Sequence, residues 1–432
     1  MSIHADSITI LPLEKKPDSS IVVPGSKSVT NRALILASLA QGRSLLSGAL
    51  DSEDTRVMIS ALRLLGIEIE CQEQGVQLVV SGTGGKIHPG PVSLFLGNSG
   101  TSIRFLTALC SLGSGRYRLD GVERMRQRPQ ANLLQALRGL GVDAYSDAGN
   151  GRPPVVIDAN GLLKGGSARL NANASSQFLT SLLMIAPYAE GDVTIEIDGS
   201  LRPFYVEITR KMMTDWGVKT EVSGNTFYVR SGQRYLCQPR YSIEPDASSA
   251  SYFFAAAAIT GGRVQVPGLS SKAMQGDVRF AAEILAQMGC IVSEDANGIT
   301  VEGPPSGELR GIDRDMSSIS DTSLTLAAIA PFASTPTTVR NIAHTRLQEC
   351  DRISAVCREL TRLGVAADER EDGFTVYPAK NIHPAEIETY RDHRIAMSFA
   401  LIGLKAPGIT ILDPGCTAKT FPGFWQLLDE LR

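Results

Sequence analysis

The chain has 432 residues, 43% hydrophobic and 20% charged, with a formal net charge of −3 and a pI near 6.0. That balance argues against a primary role on nucleic acid or a membrane surface, and the length allows more than one domain with an ample core. Seven cysteines, an odd number without a C-x-x-C pair, argue against a disulfide framework or zinc site and for a reducing, cytoplasmic setting. The first twenty residues carry Asp and Glu and are not expected to be a secretory leader, and no apolar run reaches the length of a membrane span.

Along the chain, six segments repeat one order: a small-polar cluster, an apolar run, a turn, then a β-like run. They include "GSKSVTNRALIL", "GNSGTSIRFLTAL", "NASSQFLTSLLM", "DASSASYFFAAAAI", "SDTSLTLAAIAPFA" and "RDHRIAMSFALIG". Anchored at Ser28, Thr101, Ser176, Ser249, Ser323 and His393, they recur every 70 to 75 residues, the mark of an internal repeat. A second marker runs in phase: Gly66, Gly141, Gly217, Gly289 and Gly364 each close an amphipathic stretch and precede a strand-like run. They read as helix C-caps in the left-handed region. Each unit therefore reads as strand, helix, strand, helix, then one or two strands.

The first helix of a unit, as in "FLTSLLMIAPYA", is apolar on nearly every side and is expected to be buried all round. The second, as in "PQANLLQALRGLG" or "DVRFAAEILAQMG", keeps a polar face. One unit cannot cover such a first helix alone, so six units suggest two domains of three sharing cores. The polar stretch Ser231–Pro245 is the natural hinge, giving lobes of 25–241 and 242–432. A simple solenoid without a cleft is the plainer alternative.

Several of the buried-helix starts carry cations: Lys27 and Arg32, Arg104, and His393 with Arg394. Nearby lie "ERMRQRP", "QECDR" and "CTAKTFP". A cation at a helix N-terminus opposes the dipole by about 0.3–1 kcal/mol, while the free N–H groups there favour anions. Repetition of that arrangement suggests a cleft that holds polyanionic small molecules. "GSKS" does not fit a P-loop, because no Gly directly precedes the Lys. Asp321 reads equally well as a helix cap.

The motifs "PGSKSVTNRAL", "LFLGNSGTSIRFL", "RMRQRP", "ASSQFLTSLLM", "PDASSASYFFAAAAI", "MQGD", "QECDRI", "DHRIAM" and "CTAKTFPGF" together resemble the 5-enolpyruvylshikimate-3-phosphate synthase family of enolpyruvyl transferases, over essentially the whole chain. The resemblance implies an α/β fold of two inside-out, barrel-like domains. Each would be built of three βαβαββ repeats with helices inside and sheets outward, and residues 1–24 would join the C-terminal lobe. It implies condensation of phosphoenolpyruvate with shikimate 3-phosphate, with no cofactor or metal, in a monomeric cytoplasmic enzyme with no nucleic-acid or membrane partner.

By motif, it implies that Lys27 touches both substrates and that Ser28, Arg32, Ser175, Ser176, Gln177, Arg202, Asp321 and Gln348 meet shikimate 3-phosphate. Asn98, Gly100, Thr101, Arg128, Gln177, Arg352, Arg394 and Lys419 would line the phosphoenolpyruvate side, with His393 and Tyr205 in support. Asp321 would act as base and Glu349 as proton-transfer partner, with Lys27 also catalytic. Gly100 would leave room for glyphosate, whose binding an alanine methyl would crowd. Two positions depart from the family: Gln348 stands where a lysine is usual, and Arg202 where a serine is usual. His344 stands where Asn is common and is given no role. The sibling class that acts on a UDP-sugar typically carries a loop cysteine, which "ERMRQRP" lacks; a non-catalytic phosphoanion binder is the other alternative.

Overall fold

The computed structural model describes residues 2–4, 6–172, 175–199, 201 and 203–432, so Arg202 lies outside the described residues. The chain divides into two compact units, Gly25–Ile243 and Met1–Pro24 with Glu244–Arg432. Each contains three four-stranded sheets.

The second repeat shows the plan. Strand Val92–Phe95 runs through helix Gly100–Cys110 into a parallel strand, Ser114–Asp120. Helix Ala131–Gly139 then leads to Asp143–Ser146 and Val155–Asn160, which join antiparallel. A parallel pair needs a crossover, and the helix is that crossover. Strands such as Ser7–Ile10 alternate buried and partly exposed residues, so one sheet face meets the helices.

Three sheets borrow strands from distant sequence. Tyr241–Ser242 lies parallel to Leu46–Ser47 and completes the first sheet of the Gly25–Ile243 unit. In the other unit, Asp18–Ser20 pairs with Arg263–Gln265, while Ser7–Ile10 pairs with Ile409–Leu412. These hydrogen-bonded edges assign Met1–Pro24 to Glu244–Arg432. The boundary at Ile243/Glu244 falls inside the expected hinge, most of which is exposed or half-buried, though Tyr235 is buried and its hydroxyl donates to the Met184 carbonyl at 2.9 Å.

All eleven residues of Gly100–Cys110 and all eleven of His393–Gly403 are buried, as is every residue of Ser323–Ile329. Such helices have no polar face because no face meets water. The second helices do have one: in Glu53–Leu64, the residues Asp54, Thr55, Met58, Ile59, Ala61 and Leu62 are buried and the others are not. The five marker glycines all adopt positive φ, from 75° at Gly364 to 104° at Gly289. A Cβ there would strain the backbone, so the helix stops where glycine permits the left-handed turn.

The fourth repeat departs from its expected amphipathic helix. "DVRFAAEIL" forms a 3-10 turn at Gly276–Val278 and then a π-helical stretch at Phe280–Leu285, with Ala286 N–H bonding to the Ala281 carbonyl at 3.1 Å. Such wide turns are often found at functional sites.

Candidate active site

In the Gly25–Ile243 unit, the site begins at helix Lys27–Leu39, whose N-cap Ser26 accepts from Val29 N–H at 3.4 Å. Lys27 does not wait for a ligand to offset its charge. Its Nζ lies 3.3 Å from Asp54 Oδ2, and Asp54 sits in the first turn of Glu53–Leu64, where a carboxylate suits the helix dipole. Asp54 was not foreseen, because it is 27 residues away and inside an ordinary capping sequence.

Arg32 is buried one turn further on. Its Nε donates to Thr209 Oγ1 at 2.8 Å, Nη1 to the Ser28 carbonyl at 2.9 Å and Nη2 to the Tyr205 carbonyl at 3.1 Å. The guanidinium carbon also lies 5.5 Å from the centroid of the Phe105 ring. Among the described residues no carboxylate pairs with it, and burial pulls its pKa down to about 10, which still leaves it charged near neutrality. Ser28, Tyr205, Thr209 and Phe105 thus gather around the buried Arg32 guanidinium.

Helix Gly100–Cys110 opens beside Arg128, whose Nη1 donates to the Asn98 carbonyl at 3.3 Å. A Cβ on Gly100 would come within 2.4 Å of Arg128 Nη2. The glycine therefore makes room for the protein's own guanidinium. Arg128 is buried, whereas Arg126 turns outward to Asp120 at 2.7 and 2.9 Å and Arg124 donates to Gln127. Of the three arginines in "ERMRQRP", only Arg128 is buried beside the predicted site residues.

The second and third helix starts are tied through Gln177. Its Nε2 donates to Thr101 Oγ1 at 3.2 Å, and its Oε1 accepts from Arg104 Nη1 at 2.6 Å. Ser175 Oγ accepts from Gln177 N–H at 3.2 Å, and both Ser175 and Ser176 are buried. Arg104, stacked over Phe178 at 5.3 Å, orients the amide and was missing from the expected set; its place at a helix start was the available signal.

In the Glu244–Arg432 unit, two buried arginines organise the carboxylates. Arg394 Nη2 donates to Asp321 Oδ2 at 2.8 Å and to Ser248 Oγ at 3.3 Å, and Nη1 reaches Tyr252 at 3.3 Å. Arg352 donates to both oxygens of Asp392, at 2.8 and 3.1 Å, to Glu349 Oε2 at 3.0 Å and to Gln348 Oε1. Its Nη1 is also 3.6 Å from Asp321 Oδ1, so the Asp321 carboxylate lies between two guanidiniums with 24% of its side chain exposed. Burial alone would lower the pKa of either arginine. Asp392 and Glu349 outweigh it for Arg352, and Asp321 leads the groups that outweigh it for Arg394, so both are held above the ordinary value.

Asp321 lies in the turn Ser320–Thr322, which leads into helix Ser323–Ile329. Asp392 caps His393–Gly403 through Arg394 N–H at 2.9 Å while also anchoring Arg352. Only "DHRIAM" hinted at its importance. His393 is buried beside Asp392, its Nδ1 3.7 Å from Oδ1. Lys419 is buried at the end of the turn Pro414–Lys419, which packs on the same helix. As the side chains stand, Arg352 faces the protein acceptors Asp392, Glu349, Gln348 and Asp321. Among the described residues no cluster of three or more His, Cys, Asp or Glu could hold a metal ion. No described helix is long and apolar enough to cross a membrane.

Residues 14–428 match the family model described as EPSP synthase (3-phosphoshikimate 1-carboxyvinyltransferase). A 3-phosphoshikimate 1-carboxyvinyltransferase of Nostoc punctiforme is 48% identical over 431 residues, covering 98% of this chain and 100% of the relative. The chloroplastic enzyme of that name from Arabidopsis thaliana is 44% identical over 443 residues, covering 99% of this chain and 85% of the relative. Among solved structures, an EPSP synthase from Acinetobacter baumannii superposes with a TM-score of 0.83 at 28% identity, covering 99% and 98% of the two chains. With the match running nearly end to end, this chain belongs to the EPSP synthase (3-phosphoshikimate 1-carboxyvinyltransferase) family.

Proposed function

We propose that this chain transfers the enolpyruvyl group of phosphoenolpyruvate to the 5-hydroxyl of shikimate 3-phosphate and releases phosphate. Family membership supports the reaction, and the observation that carries the residue roles is the Asp321 carboxylate held between Arg352 and Arg394. Asp321 is the base that takes the 5-hydroxyl proton as oxygen bonds to C2 of phosphoenolpyruvate, while a proton is delivered to the methylene carbon. Glu349 is the partner for that proton and for its removal when the C2–phosphate bond breaks. Each such step is worth on the order of 10²–10⁴ in rate. Phosphate leaves as an anion, and Lys27, Arg128, Arg352, Arg394 and Lys419 neutralise it.

On the acceptor side, Lys27, Ser28 and Arg32, which faces no carboxylate among the described residues, bind the shikimate carboxylate through charge-assisted pairing. Ser175, Ser176 and Gln177 hold the 3-phosphate and ring, joined by Gln348 through its amide; Arg202 is assigned there by motif alone. Asn98, Gly100, Thr101 and Arg128 take phosphoenolpyruvate, and Tyr205 and His393 support their neighbours. The enzyme acts as a single cytoplasmic chain without a cofactor.

The test is phosphate release from phosphoenolpyruvate with shikimate 3-phosphate or a UDP-amino sugar as acceptor. Release with shikimate 3-phosphate alone is expected. Release only with the sugar, or with neither, overturns the assignment.

A further inference from the structure

Asp277, in the "MQGD" motif, has no part in the roles above, yet it is among the most enclosed carboxyl groups of the Glu244–Arg432 unit, 6% exposed. Its turn, Gly276–Val278, packs against helix Ala247–Thr260 and the turn Ser320–Thr322 that carries Asp321. Asp277 Oδ1 is buried and accepts no hydrogen bond. The charged groups around it are otherwise engaged. Asp246, from the start of Ala247–Thr260, accepts from Ser248 Oγ at 2.9 Å and Ser249 N–H at 2.7 Å. Arg394, from His393–Gly403, gives Nη2 to Asp321 and Ser248. On its own segment, Arg279 donates to Ser318 Oγ at 2.7 Å and lies 3.5 Å from Glu283. Glu244 accepts from the N–H groups of Met274 and Gln275. An ionised Asp277 would thus be a third carboxylate in a largely buried cluster, with no donor on its enclosed Oδ1, an arrangement that disfavours its charge.

We propose that Asp277 is a positioning residue for the transfer, a carboxyl group kept protonated beside Asp321 so that Asp321 alone presents negative charge to the substrate hydroxyl. Burial first, and then the Asp321 charge, push the Asp277 carboxyl well above the usual carboxylate range, with Arg394 opposing them. A neutral Asp277 also spares the pocket one negative charge when two anionic substrates arrive. This inference rests on the reading of Asp321 as base.

The experiment uses the full chain with carboxyl-labelled aspartate, followed by NMR across pH, and the pH profile of phosphate release for wild type and Asp277→Asn. An amide matches the charge and shape of a protonated acid. The variant is therefore expected to keep activity within about threefold near neutral pH and to leave the acidic limb of kcat unmoved. One aspartate signal should be protonated at about pH 7 in wild type and vanish in Asp277→Asn. An acidic limb that moves to lower pH in the variant would mean that Asp277 was charged, and overturns the proposal. So does a wild-type spectrum with every aspartate ionised, whether or not the variant folds. Full phosphate release by Asp321→Ala would overturn the base assignment alone, leaving the aspartate spectrum to decide on Asp277.

Discussion

Arg352 and Asp392 form a two-pronged ion pair, 2.8 and 3.1 Å, between side chains 40 residues apart, with 2% of the arginine side chain exposed and none of the aspartate. The positive charges at these helix starts are offset in the free protein by carboxylates of its own: Asp392 and Glu349 at Arg352, Asp321 at Arg394, and Asp54 at Lys27. Removing one partner of a buried pair leaves an uncompensated charge, at a cost of about 3–5 kcal/mol. Arg352→Met should therefore lower the denaturation midpoint of this unit by an amount of that order, whereas the double variant Arg352→Met with Asp392→Leu should recover most of it. Equal loss in the single and double variants would show that the pair contributes no such coupling.

Gly100→Ala should act through Arg128. The added methyl falls 2.4 Å from Nη2, and the far end of an arginine can swing aside. A displaced charge-assisted contact is worth about 1.5–3 kcal/mol, roughly 10- to 100-fold. We expect KM for phosphoenolpyruvate to rise by that factor, with kcat changed less and glyphosate inhibition weakened in parallel. Steady-state kinetics with varied phosphoenolpyruvate checks this, and an unchanged KM would place Arg128 outside the phosphoenolpyruvate site.

Arg32 should trade stability against binding. Burial lowers its folded pKa to about 10 from 12.5, so the folded state disfavours its charge. For a base with a depressed pKa, that penalty is fully present below the folded value and is relieved only as pH rises through about 10 toward 12.5. Across the neutral range its contribution is therefore flat. Arg32→Met should leave the melting temperature unchanged or raised, while KM for shikimate 3-phosphate rises about 10-fold or more. Thermal melts at several neutral pH values, together with kinetics, check both halves.

Gln348→Lys replaces an acceptor that faces Arg352 with a second cation. The free protein should lose about 1–3 kcal/mol of stability. Shikimate 3-phosphate should restore more of it in the variant than in wild type, because its phosphate offsets the added charge. Thermal unfolding with and without the ligand reads this difference directly.

How far the sequence foretold these features depended on whether they were local. The buried helices were legible because runs such as "YFFAAAAI" leave no polar side, and their stops were legible because Gly66 or Gly141 permits a turn that few other residues adopt. The cations stood out because each sits in a short motif at a helix start. Their partners did not: Asp54 and Asp392 look like ordinary first-turn and capping residues, and only folding sets them beside Lys27 and Arg352. The same holds for Arg104, which acts on Gln177 from 73 residues away, and for the strand Tyr241–Ser242, too short to announce its pairing. The "DVRFAAEIL" pattern favoured a regular helix, and no local signal marked the wide turn at Phe280–Leu285.

The most direct measurement is single-turnover phosphate release by wild type and Asp321→Ala under identical substrate saturation, with folding of the variant verified by circular dichroism. If Asp321 takes the hydroxyl proton, the folded variant should be slower by about 10²–10⁴-fold. A folded Asp321→Ala that turns over at the wild-type rate would contradict the account.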